Sequence, residues 1–154
     1  MKPEPIFINP GTYSIAGNPV ERHLQRLDGH IGRMQALLGE RLQHALAGVG
    51  GSLQNDPSAL ISFTGAFTGL STLLHFCSFT RGTVTLERGM ETRADQDLVA
   101  KLRSLLVPIV DSQCEILGAA MTAQLDVKAV SLLHWYQEAL AEVVAIKNFI
   151  GQLA

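Results

Sequence analysis

From Pro57 to Thr80 the chain runs for 24 residues without an aspartate, glutamate, lysine or arginine. Few structures accept such a segment. It can cross a bilayer as a helix, or it can be a helix whose surface is largely covered by protein. The polar residues in the segment choose between the two. Thr64, Thr68, Ser71, His75 and Ser78 follow one another at intervals of 4, 3, 4 and 3, while Leu60, Phe63, Phe67, Leu70, Leu74 and Cys77 follow at 3, 4, 3, 4 and 3. These are two stripes on one helix, one mildly polar and one apolar. A helix facing lipid has no reason to align a histidine with hydroxyls, and the flanks carry no marked Lys/Arg asymmetry. The spacing predicts a largely buried helix of a soluble bundle. His75 and the hydroxyl stripe would then turn toward a neighbouring helix or trapped water.

The remaining elements fit that reading. Asn18, Pro19 and Glu21 form a helix start, with a capping residue, a proline at the first helical position and an acid three residues past the cap. Val20, Leu24, Leu27, Ile31, Met34 and Leu38 then step by 4, 3, 4, 3 and 4. A first helix from Pro19 to Ala47 would extend roughly 43 Å. Gly29, Gly32 and Gly39 are poor helix formers within it, expected to permit close approach of another helix or to bend this one. Asp56-Pro57 begins the second helix, which is expected to stop at Arg81-Gly82. Thr83 to Glu87, with no partner strand, is expected to be an ordered loop, a small hairpin around Gly89 being the lesser option.

A third helix is expected over about Ala94–Leu125, kinked near Leu105 by Pro108 or split there into two. Asp126 would cap the last helix, whose inward face is Leu133, Tyr136, Leu140, Val143, Ile146, Ile150 and Leu153. The expected fold is all-α, an antiparallel up-and-down four-helix bundle. Residues 1–18, rich in proline and glycine, form an extended N-terminal arm, and residues 19–154 a single helical-bundle domain. The arm's apolar centre, Ile6, Phe7 and Ile8, is expected to dock.

Composition narrows function mainly by exclusion. Formal net charge is −2, and Arg22, Arg26, Arg33 and Arg41 are interleaved with Glu21, Asp28 and Glu40. No concentrated basic face is available for nucleic acid. The beginning of the chain lacks the apolar run of a secretory signal, and two cysteines are too few for a disulfide scaffold. A cytoplasmic protein with free thiols is expected. Only 17% of residues are charged, which favours a surface shared with a partner.

No catalytic constellation is legible. His75 and Cys77 lie two apart, so on a helix they project about 200° from each other and cannot hold one ion. Cys77 and Cys114 read as small buried hydrophobes. Glu40 and His44 are four apart, as are His134 and Glu138, but the Glu-x-x-His elements of a di-iron bundle are missing. His134 and Glu138 read as an exposed same-face pair. Trp135, adjacent to the Tyr136 stripe, belongs at the core rim, either as an interface anchor or with its N–H in water.

The reading that emerges is a small interaction protein of chaperone, inhibitor, immunity-protein or adaptor type. It would act by protein–protein recognition without catalysis, metal or cofactor, as a homo-oligomer or with a protein partner. Trp135, His134, Glu138 and His75 are its candidate binding residues. The rival is a bundle that holds a cofactor, metal or small ligand through His75 and the polar stripe; a membrane-associated helical protein is the third reading.

Overall fold

The computed structural model describes residues 19–49, 53–89, 95–123 and 129–153. The expected arm (1–18), its cap Asn18, the Asp126 cap and the loop ends near Ala94 and Leu125 lie outside them. The described residues form five helical segments and no strand: α1 Pro19–Leu38, α2 Glu40–Val49, α3 Pro57–Arg88, α4 Asp95–Ala123 and α5 Val130–Gly151. Because α1 and α2 follow one another across Gly39, the fold amounts to four helices packed together.

The first helix breaks where the sequence places its weakest helix former. Gly39 costs about 1 kcal/mol against alanine in a helix, and here it is a turn: its N–H donates to Ala36 and its carbonyl accepts from Gln43. Above and below the break the apolar stripe is kept, with Val20, Leu24, Leu27, Met34 and Leu37 buried on α1 and Leu42, Ala45 and Val49 on α2.

Helix α3 starts as expected. Asp56 is its N-cap, with the carboxylate accepting from Ala59 N–H at 3.2 Å, and Pro57 occupies the first turn. It does not stop at Gly82. It continues to Arg88, so the loop expected over Thr83–Glu87 is helical, and no hairpin forms around Gly89. Packing outweighs the glycine: Thr80 and Val84 are both fully buried one turn apart, and Arg81 and Arg88 are tied to Asp28 and Glu21 of α1. The helix ends at Gly89 in a right-handed conformation, so no left-handed cap is used.

α3 packs on α4 and α1, α4 on α3 and α5, and α5 on α4, α1 and α2. Several residue pairs fix these contacts. A Cβ on Gly69 would meet Leu117 of α4 at 3.0 Å. Cys114 of α4 reaches the Val143 carbonyl of α5 at 3.8 Å. Ser131 of α5 donates to the Ala45 carbonyl of α2 at 2.9 Å. The inward row of α4 is Leu98, Leu102, Leu106, Val110, Cys114, Leu117 and Met121. Leu105 and Ile109, beside this row, are half-buried. Pro108 lies inside α4, which is one helix rather than two.

The deepest change concerns which face of α3 is covered. Ala66, Gly69, Leu70, Leu73, Cys77, Thr80 and Val84 are buried, whereas Thr64, Thr68, His75 and Ser78 are exposed, with Ser71 half-covered. The hydroxyl stripe therefore faces outward, not toward a neighbour. On the opposite side Gly69, without a side chain, lets Leu117 of α4 approach closely, and that contact decides the rotation of the helix.

The continuation of α3 through Gly82 has a direct test. A Cβ there meets nothing within 4 Å, so Gly82→Ala should stabilise the fold by about 0.5–1 kcal/mol. A thermal melt should show a raised Tm; a lowered one would restore a helix end at Gly82.

Candidate functional site

Of the four candidate binding residues, three come together and one does not. His134, Trp135 and Glu138 line an open groove of about 810 Å³ between α2 and α5, with Glu40, Arg41, His44 and Ser131 opposite or beside them. The two acid–histidine pairs that the sequence spaces at four residues thus border the same groove. Glu138 pairs with Arg41 across it rather than with His134. Arg41, His44 and Ser131 are the lining residues that sequence reasoning missed. A usable signal was the repeated four-residue Glu/His spacing on two helices. His75 is not in the groove: it is exposed on α3, where its Nδ1–H donates to the Ser71 carbonyl at 2.8 Å.

Trp135 is neither a surface anchor nor wetted. It is 1% exposed, and its indole N–H donates to the Leu37 carbonyl at 2.7 Å. That carbonyl lies in the last turn of α1, beside the Gly39 break, where helix carbonyls need outside partners. The ring packs 5.7 Å from Phe63 and 5.4 Å from Tyr136, centroid to centroid. Trp135 therefore closes the groove from below and offers it no free donor.

One turn along α5 from Glu138 is a buried polar network that the sequence did not signal. Glu142 is 6% exposed and meets two donors of α1, His30 Nδ1 and Arg33 Nε, each at 2.6 Å. Because a carboxylate accepts, Nδ1 carries the proton. The 3.1 Å approach of the second Arg33 nitrogen to Nδ1 is then a close contact between donors and not a further bond. The arginines interleaved with acids along α1 and α2 are partly spent on α5: Arg33 on Glu142, Arg41 on Glu138, and Arg26 over the Phe149 ring at 5.1 Å.

The thiols are inert by position. Burial pushes Cys77 up to about 12, with Cys114 and Glu142 adding to the effect. Burial raises Cys114 to about 11, against a lowering influence of Lys147. Both are free and buried. Among the described residues no group of three or more histidines, cysteines or carboxylates is gathered to hold a metal ion.

The largest uncovered feature lies on α3. Ile61 is 72% exposed, Phe79 63% and Leu86 70%, with Leu60, Phe67 and Phe76 also open to solvent. They flank the hydroxyl stripe, and from Pro57 to Thr80 no charge interrupts them. Helices Pro57–Arg88 and Gln96–Ala123 are long and apolar enough to cross a membrane. The outward side of α4, however, carries Arg103, Asp111 and Glu115, so the uncharged surface belongs to α3 alone. Comparison with family models, curated proteins and solved structures returned no match to this chain.

Two outcomes follow. Glu142→Leu should cost about 2 kcal/mol in urea unfolding, because His30 loses its acceptor in a dry site while Arg33, 57% exposed, rehydrates. Native Cys77 and Cys114 should resist a disulfide-exchange reagent at pH 8 and react once unfolded. Since their folded pKa values lie above the ordinary 9.0, this contribution to stability is whole below about pH 9 and falls as pH rises toward 11 to 12. Denaturant midpoints across that window measure it.

Proposed function

We propose that this chain is a small non-catalytic interaction protein that works by pairing surfaces, and that the surface is the outward face of α3. The observation that carries this reading is the run of exposed apolar side chains, Ile61, Phe67, Phe76 and Phe79, on a segment without charge. An apolar patch of this kind in water favours coverage by a partner. The occupant we assign is a second copy of the chain. A face with no charge of either sign offers nothing for an oppositely charged partner to complement, and it meets its own copy without repulsion. Hydroxyls at Thr64, Ser71 and Ser78 are small enough for close helix approach, and Thr64 already satisfies itself on the Leu60 carbonyl at 2.8 Å.

An antiparallel up-and-down order of the four helices is supported by the contacts that α3 makes with α1 and α4. The contacts Glu21–Arg88 and Asp28–Arg81, then Glu87–Lys101 and Gly69–Leu117, have partner numbers that change in opposite directions. Pro108 favours a bend in α4 near the loss of its backbone donor. Residues 19–154 read as one domain, and free buried thiols favour a cytoplasmic setting.

Membrane association is the second reading, favoured by the length and apolarity of α3 and α4. The charges exposed on α4 oppose it. The groove between α2 and α5 supports small-ligand binding less strongly, since Arg41 and Glu138 neutralise each other across it and Trp135 has no donor to spare.

Sedimentation of the purified chain at neutral pH should give a dimer, and Phe79→Glu should convert it to a monomer with unchanged helical circular dichroism. A wild-type monomer at all concentrations sinks the pairing; obligatory retention in the membrane fraction, or flotation with phosphatidylcholine vesicles, would favour the lipid reading instead.

A further inference from the structure

Two histidines of α1 contact one ring of α5, and their nitrogens are provided for differently. The ring is Phe149, which is buried. His30 packs on it at 5.3 Å, and His23, seven residues earlier on α1, meets it edge-on at 6.2 Å. His30 has an acceptor for its Nδ1 proton, the Glu142 carboxylate at 2.6 Å. The Nδ1 of His23 is buried too, and it has no hydrogen-bond partner. A neutral imidazole tolerates this, because Nδ1 holds the lone pair while Nε2 carries the hydrogen. In the imidazolium both nitrogens donate, so the added N–H is buried without an acceptor.

The charges around His23 add to that penalty. Arg22 adjoins it in sequence, and Arg26, one turn on, lies over the Phe149 ring at 5.1 Å. The face of that ring is therefore already given to a cation. Burial first, and then Arg26 and Arg22, hold the His23 pKa below its ordinary value. The helices packed on α1 supply no relief. From α3, Arg88 pairs with Glu21, and Glu87 faces Lys101 of α4 at 3.9 Å; Arg81 takes Asp28. Asp97 of α4 is exposed. On α5 the nearest charges in sequence to Phe149 are Lys147 and Glu142, and Glu142 is held by His30 and Arg33. Among the described residues no carboxylate forms an ion pair with His23.

The same cluster fastens the end of α5. Arg26 donates to the Gln152 side chain, and Ile150 and Leu153 are buried beside Phe149 in the sequence. We propose that His23 is a proton-sensitive latch between α1 and the end of α5: the neutral ring keeps residues 149–153 seated, and the imidazolium favours their release. The sign follows from which form the seated state prefers. The latch is whole above about pH 6.5, where a free histidine is neutral, and weakens as pH falls below it. Release bares Phe149, Ile150 and Leu153, an apolar surface presented only in acid. The outward face of α3 takes no part in it.

The test is hydrogen exchange of the full chain at pH 7.5 and pH 5.0, corrected for the intrinsic pH dependence of exchange. His23→Gln and His23→Lys are run alongside, with helical circular dichroism recorded for each. The expected result is that wild-type protection of residues 146–153 falls at least about fivefold at pH 5.0, the effect of one buried donor left unpaired. Protection of α3 holds, the Gln variant stays protected at both pH values, and the Lys variant is unprotected over 146–153 at both. Unchanged wild-type protection overturns the latch. An equal loss in wild type and His23→Gln also overturns it, because another group, such as His30 on the same ring, must then titrate. A wild-type loss spread evenly over all the helices overturns it as well, since the whole fold is then responding. Where the Lys variant lacks helical circular dichroism, the comparison of wild type with Gln decides.

Discussion

Wherever a carboxylate is buried it must be met by donors, and in this chain that requirement falls on Glu142. Its two oxygens accept from His30 and Arg33, three residues apart on one face of α1. That spacing fixes both the rotation of α1 and its height along α5, since a shift by one turn would leave the carboxylate bare in a dry site. Apolar stripes alone do not give such discrimination, because leucines interdigitate almost equally well in neighbouring registers. Phe149 packs against the His30 ring at 5.3 Å, so the polar contact and the apolar packing specify the same alignment.

With α1 placed, the break at Gly39 becomes structural and not merely weak sequence. The chain turns there, and the Leu37 carbonyl is met by Trp135 from α5. The turn also redirects α2, whose Ala45 carbonyl is met by Ser131. One tryptophan and one serine thus hold two helix segments that a single glycine separates. The groove between α2 and α5 is the space left between these two attachment points, which is why the Glu40/His44 and His134/Glu138 pairs both border it.

The helices were legible in the sequence because their stripes repeat at helical spacing over many turns, and Asp56-Pro57 marks a start without ambiguity. The rotation of α3 was not, for a physical reason. Serine and threonine hydroxyls can bond within their own helix, as Thr64 does to Leu60, and His75 does the same to Ser71. A stripe that satisfies itself is compatible with either face, so its polarity does not decide burial. The decision came from Gly69, whose missing side chain admits Leu117 of α4. The end of the helix was misjudged similarly: Gly82 looks like a stop locally, but Val84 and the Arg88–Glu21 pair lie beyond it. Trp135 was placed at the core rim because its partner is a main-chain carbonyl 98 residues away, which no local pattern reveals. Of the candidate site, His134 and Glu138 were recoverable from spacing; Arg41 was not, since its role depends on how α2 turns after Gly39.

A chain with few charges has limited means of keeping its surface wet, and the distribution of those charges then matters more than their number. Here arginines of α1 and α2 are directed at α5, and Arg81, Glu87 and Arg88 at the far end of α3 are tied to α1 and α4. Arg103, Asp111 and Glu115 keep the outer side of α4 solvated. The outward side of α3 before Arg81 is left with hydroxyls, Leu60, Ile61, phenylalanines and one histidine.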